Sequence, residues 1–103
     1  MLKIFVTTSD NNKYKLDILF FDTYKNKFFK VLRIGAKGYD DYTLSNNDNK
    51  KHNYIKRHYV NEDWSDIESK GFWSRFLLWN KKTIPQSIND IRNKFGLDVV
   101  YLN

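Results

Sequence analysis

Leu2, Ile4 and Val6 fall on one side of an extended segment, and Lys3, Phe5 and Thr7 on the other. That two-residue period is the mark of a strand with one buried face. Asp10-Asn11-Asn12 interrupts it as a turn. Alternation resumes with Tyr14, Leu16, Ile18 and Phe20 against Lys15, Asp17, Leu19 and Phe21. A second turn at residues 22–26 leads into a third run, 28–34, where Phe29, Val31 and Arg33 are expected to share a face. Links this short predict an antiparallel meander of three strands.

Gly35 and Gly38 then bracket Ala36-Lys37 and end the sheet, as backbone with positive φ or close packing requires. Beyond them the period lengthens. A helix starting near Asn47 or Asp48 and running to about Tyr59 has Tyr54, Ile55, His58 and Tyr59 as its apolar stripe. Lys50, Lys51, Lys56 and Arg57 form its basic flank. Asn61-Glu62-Asp63-Trp64 closes that helix, and residues 65–70 read as an acidic loop. Residues 72–80 are apolar nearly all round, hence a short and largely buried helix. Thr83 as cap, Pro85 in the first turn and Gln86 start a further helix with Ile88, Ile91 and Phe95 inward. Gly96 ends it in the left-handed conformation, with Leu97 folding back. Val99-Val100-Tyr101-Leu102 is a candidate fourth strand joining the N-terminal sheet.

The predicted class is α+β: a meander packed against about three helices. It forms one compact domain over residues 1–103, with the meander in 1–34, the glycine turn and helices in 35–96 and the last strand in 97–103. A chain of 103 residues supports one modest core. Its 17% aromatic content supplies area for that core without staples. There is no cysteine, which excludes a disulfide scaffold, a thiolate zinc site and a cysteine nucleophile. Residues 1–6 are too short for a signal-peptide core, and no stretch approaches the roughly 20 apolar residues of a membrane span. We therefore expect no membrane partner.

The net charge of +6 favours acidic partners such as nucleic acid or an acidic protein. Solubility alone also accounts for an excess of lysine, and the Lys- and Asn-rich, Ala-poor composition is what an AT-rich genome produces. Lys37, Lys50, Lys51, Lys56, Arg57, Arg75, Lys81 and Lys82 concentrate in the middle and late segments, beside Tyr39, Tyr42, Tyr54 and Tyr59. On a shared face, the cations would hold phosphates while tyrosines stack on sugars or bases. Alternatively Tyr54, Ile55 and Tyr59 are core and the lysines a solvated face. Arg75 would then pair internally with Asp40, Asp41 or Glu62.

Catalytic and metal chemistry find little footing. His52 and His58 lie six apart on one helix and diverge by roughly 120°. Asp40-Asp41 reads as a turn or cap rather than a paired acid and base. Gly35-Ala36-Lys37-Gly38 lacks the length and the terminal Lys-Ser/Thr of a nucleotide-binding loop. No base is in view beside Ser74. We expect no catalytic residues, no metal and no cofactor.

Ile34-Gly35-Ala36-Lys37-Gly38-Tyr39-Asp40-Asp41-Tyr42-Thr43, Tyr54-Ile55-Lys56-Arg57-His58, Glu62-Asp63-Trp64 and Gly71-Phe72-Trp73-Ser74-Arg75-Phe76-Leu77-Leu78-Trp79-Asn80-Lys81 occur in that order. Over roughly residues 34–91 the chain resembles a small, basic, functionally uncharacterised family of large DNA viruses of eukaryotes, mimivirus-like and alga-infecting. The resemblance implies a viral setting, in the virion or the virus factory of the host cytoplasm, and no reaction. The expected function is thus non-enzymatic binding of nucleic acid, DNA foremost, with little sequence specificity. The alternative is a structural virion component, a minor capsid, core or cement protein that binds acidic virion proteins. Inhibition of a host factor is a third option without support from any residue.

Overall fold

The computed structural model describes residues 1–102. Three strands, β1 (Leu2–Thr8), β2 (Tyr14–Asp22) and β3 (Lys27–Ala36), form the expected antiparallel meander. Four helices follow: α1 (Tyr42–Ser45), α2 (Asp48–His58), α3 (Lys70–Trp73) and α4 (Ile84–Phe95). A single π-helical turn, Ser74–Leu78, continues α3. β4 (Val99–Leu102) closes the chain beside β1, so the sheet order is β3-β2-β1-β4. β4 runs parallel to β1, pairing Ile4 with Val99 and Val6 with Tyr101. A parallel neighbour needs a crossover, and α4 supplies the return. The fold is α+β.

Local chemistry explains the boundaries. Asn47 caps α2 by accepting from the Lys50 N–H at 3.1 Å, and Thr83 caps α4 through the Gln86 N–H at 3.3 Å. Gly96 ends α4 at φ 65°, where a side chain would be strained. Asp41 caps α1, a short helix that the hydrophobic pattern does not announce. Residues 72–80 are helical through Leu78, as expected, with the π turn as their second half.

The core lies between one sheet face and the helices. Ile4, Val6, Leu16, Ile18, Phe20, Leu32, Ile34 and Val99 meet Phe72, Trp73, Leu77, Ile88 and Ile91. Trp73 is fully buried, packs edge-on to Phe20 at 6.2 Å and donates its indole N–H to the Ile67 carbonyl at 2.6 Å. The large ring is therefore buried with no orphaned donor.

Two expectations about faces are corrected. On β3 the inward residues are Leu32 and Ile34. Phe21 pairs with Phe28 and Phe20 with Lys30, so Phe29 is the extra residue of a bulge. Its ring lies 6.0 Å from Phe20 on the core side, whereas Val31 pairs with Leu19 on the other, and the face predicted for Phe29, Val31 and Arg33 is split. On α2 only Tyr54 is buried; Ile55 and His58 are half-buried and Tyr59 is exposed. Tyr59 therefore does not serve the core.

Among the described residues the opposite sheet face carries no helix. Register aligns Lys3, Phe21 and Phe28 in one row, and Phe5, Leu19, Val31 and Val100 in the next. Phe28, Val31 and Leu102 are 54%, 43% and 46% exposed there. No helix of the described residues is long and apolar enough to cross a membrane.

Candidate functional site

α2 divides the helical side of the molecule into two clefts. Tyr54 points inward, and the helical repeat places Lys51 on one flank of it and Lys50 and Arg57 on the other. The first cleft, about 510 Å³, opens between α2 and the start of α4. Its walls carry Tyr42, Lys51, Lys81 and Lys82 together with the amides of Asn80 and Gln86. Lys51 Nζ donates to the Asn80 carbonyl at 2.6 Å and lies 4.9 Å from the Tyr42 ring centre. Burial, aided by the positive charges of Arg75 and Lys81, pulls its pKa below the usual lysine value. The Tyr42 hydroxyl donates to Asp48 at 2.6 Å, which pushes its own pKa up.

Asn80 builds the floor. It is buried, and its amide donates to the Phe76 carbonyl at 3.2 Å and to Asp90 Oδ2 at 2.8 Å. That bond holds the Asp90 carboxyl below the ordinary carboxylate range. The buried Ser87 hydroxyl accepts from the Lys81 N–H at 3.1 Å and fixes the loop that presents Lys81 and Lys82 to solvent.

The second cleft consists of two adjoining depressions of about 440 and 330 Å³ that share Tyr39, Asp40, Arg57 and Trp79. Three rings are stacked at its base. His58 lies 4.2 Å from Tyr54, and Tyr54 lies 4.6 Å from Trp79 with the planes only 6° apart. The π turn delivers Trp79 there. Its N–H bonds the Ser74 carbonyl at 3.1 Å, five residues back, and that wider turn re-aims the chain at its end. Arg75 holds the same spot by donating to the Trp79 carbonyl at 2.8 Å.

Carboxylates tie the surrounding segments together. Asp41, 2% exposed, accepts from the N–H groups of Thr43 and Leu44 and from Lys15 Nζ at 2.6 Å. Asp40 binds Lys50 at 2.7 Å, which lowers its pKa. Glu62 accepts from the Trp64 indole at 2.9 Å and faces His58 Nδ1 at 3.1 Å. A Cβ on Gly71 would stand 3.0 Å from the Glu62 carboxyl carbon, so this glycine makes room for the acid.

The ten candidate residues therefore separate. Tyr42, Lys51, Lys81 and Lys82 meet at the first cleft, and Tyr39, Lys50 and Arg57 at the second. Lys37 and Lys56 are exposed and line neither. Arg75 is half-buried against the rings of Trp64 and Phe76, with centroid distances of 5.5 and 5.0 Å. Burial lowers its pKa. None of the acids expected to pair with Arg75 does so: Asp40 is taken by Lys50, Asp41 by Lys15 and Glu62 by His58 and Trp64. Trp79, Asn80 and Lys15 escape a reading by pattern. Trp79 and Asn80 end an apolar run that reads as core, and only the adjoining Lys81-Lys82 hints that the run surfaces there. Among the described residues no group of three or more His, Asp or Glu is placed to hold a metal ion.

These features define a small α+β domain with a cation-bearing cleft on each side of one helix. Residues 5–58, just over half of the chain, match the family of unknown function DUF5754, and the chain belongs to that family. The matched segment runs from β1 through α2 and so includes one wall of each cleft. No curated protein and no solved structure matches the chain.

Proposed function

We propose that the protein binds nucleic acid, DNA foremost, through the α2 side of the molecule and with little sequence specificity. The observation that carries this reading is the convergence of Lys51, Lys81 and Lys82 with Tyr42 on one cleft. Lysine ammonium groups act as point charges toward phosphate, and the exposed amides of Gln86, Asn89 and Asn93 at the same wall can bond sugar and phosphate oxygens. Point charges position a backbone without reading bases, which is the reason for low specificity. The four carboxylates that line the clefts, Asp40, Asp41, Glu62 and Asp90, are each engaged by a cation, an amide, a cap or an indole. Acids committed in this way support a binding protein over an enzyme. The resemblance to viral proteins would put that binding in genome packaging or expression. A gel shift on duplex and single-stranded DNA at two salt concentrations tests the proposal, with retention at low salt and steep loss at high salt expected. No shift at low salt removes it.

A second reading rests on the bare sheet face, where Phe28, Val31 and Leu102 are exposed beside Phe5 and Phe21. Such a face suits a structural virion component that packs against another protein. It predicts that the protein stays with virion proteins in nuclease-treated, fractionated particles, as read by mass spectrometry.

A further inference from the structure

Resting on the nucleic-acid reading, we infer that the second cleft is a base-stacking subsite, and that the preferred ligand is therefore a single strand. The two clefts are equipped for different parts of a nucleotide. In the first, the Tyr42 ring is covered by Lys51 and its hydroxyl is tied to Asp48, so the cleft offers charge and amides but no free ring. In the second, Trp79 lines both depressions while Tyr54 supports one face of its indole in near-parallel contact. Tyr39, 74% exposed, lines the same two depressions. A supported indole and a free phenol on one concavity are the parts of a stacking platform, which accepts any base because every base has a π face.

Chemistry around the rings fits the rest of the nucleotide. Arg57 is exposed at the same mouth and makes no ion pair among the described residues, which leaves its five donors for phosphate. Asn53 adds an exposed amide able to meet a base edge. The outer depression, about 330 Å³, falls within the roughly 300–1,000 Å³ range of small-ligand sites. A duplex keeps its bases stacked on one another and must unstack one to fill such a site; a single strand need not. Phosphates at Lys51, Lys81 and Lys82, with a base at Tyr39 and Trp79, place the strand across α2.

Equal-length single-stranded and duplex oligonucleotides of one sequence, labelled and titrated by fluorescence anisotropy at fixed low salt, test this. The single strand should bind more tightly. Tyr39→Ala should weaken it by about 5- to 150-fold, the range for losing one base–aromatic stack, while duplex affinity and the salt dependence stay unchanged. Tyr39 is exposed, so the variant should keep its fold, which circular dichroism verifies. Phe28→Ser, on the bare sheet face, should change neither affinity. Equal binding of both forms with no effect of Tyr39→Ala overturns the inference and leaves the broader reading standing. A loss that follows Phe28→Ser instead would put the contact on the bare sheet face and overturn both the subsite and the α2-side reading. Absence of binding to either form removes the broader reading and the subsite with it.

Discussion

The two clefts beside α2 are built by opposite means. The first is held by polar bonds: Lys51 to the Asn80 carbonyl, Asn80 to Asp90, Lys81 to Ser87. The second rests on a column of rings, His58 on Tyr54 on Trp79, delivered by a π turn and braced by Arg75. A polar floor holds its lysines at fixed positions but gives up its own amide to do so. The ring column supplies a rigid apolar base and leaves Tyr39 and Arg57 uncommitted above it. The difference teaches that one helix can bear cations on both flanks while its clefts are floored by polar bonds on one side and by stacked rings on the other, with Tyr54 anchoring the helix between them.

Removing that anchor should have the largest effect. Tyr54→Ala deletes the middle ring of the column and should destabilise the fold by about 3–5 kcal/mol, as large buried rings do. Tyr39→Ala, which removes an equal ring from the surface, should stay within about 0.5 kcal/mol. Urea denaturation of the two variants checks the contrast.

Next come the two glycines at the end of β3 and just beyond it, of which Gly35 lines the second cleft. Gly35 has φ 72°, and a Cβ there would lie 2.8 Å from Leu78 Cδ1, just before the π turn ends. Gly38 has φ 88° but open space around it. Gly35→Ala combines strain with overlap and should lose about 2–3 kcal/mol. Gly38→Ala carries strain alone, about 1 kcal/mol. Thermal melts should rank them in that order.

The polar floor is sharpened by pH. Asn80→Ala removes the amide bonds to the Phe76 carbonyl and to Asp90, which keeps only Lys94 at 3.6 Å, and should destabilise by about 1–3 kcal/mol at neutral pH. The folded pKa of Asp90 lies below its unfolded value near 3.8 because of the Asn80 bond. Its stabilisation is thus fully present above that unfolded value and is lost as pH falls through the folded one. The gap between the parent protein and Asn80→Ala should narrow in acid below about pH 3.8, as read from denaturation midpoints across pH. A gap constant with pH would detach Asp90 from the floor.

Much of the fold can be read from the chain. Strand alternation and caps such as Asn47, Thr83 and Gly96 are local signals, written within a few residues of where they act. The β3 bulge is different, because Phe29 becomes the extra residue only through how β2 and β3 pair. The π turn likewise hides within an apolar run, so Trp79 reads as core until the widened turn brings it beneath Tyr39. Candidate cations were legible by residue type. Their division between two clefts was not, since it depends on which side of Tyr54 each one falls and which carboxylate lies opposite. Lys50 with Asp40, and Arg75 against two rings, are products of tertiary structure.

The central claim is that the cations at the first cleft hold phosphate. Anisotropy titrations of a labelled single strand across a salt series, for the parent protein and for Lys81→Gln/Lys82→Gln, measure it most directly. Both lysines are exposed, so stability should not change. Affinity should fall, and the slope of log K against log salt should flatten by about 1.4, the share of two phosphate contacts on a single strand. An unchanged slope and affinity in the double variant, or no binding at low salt, would contradict the account.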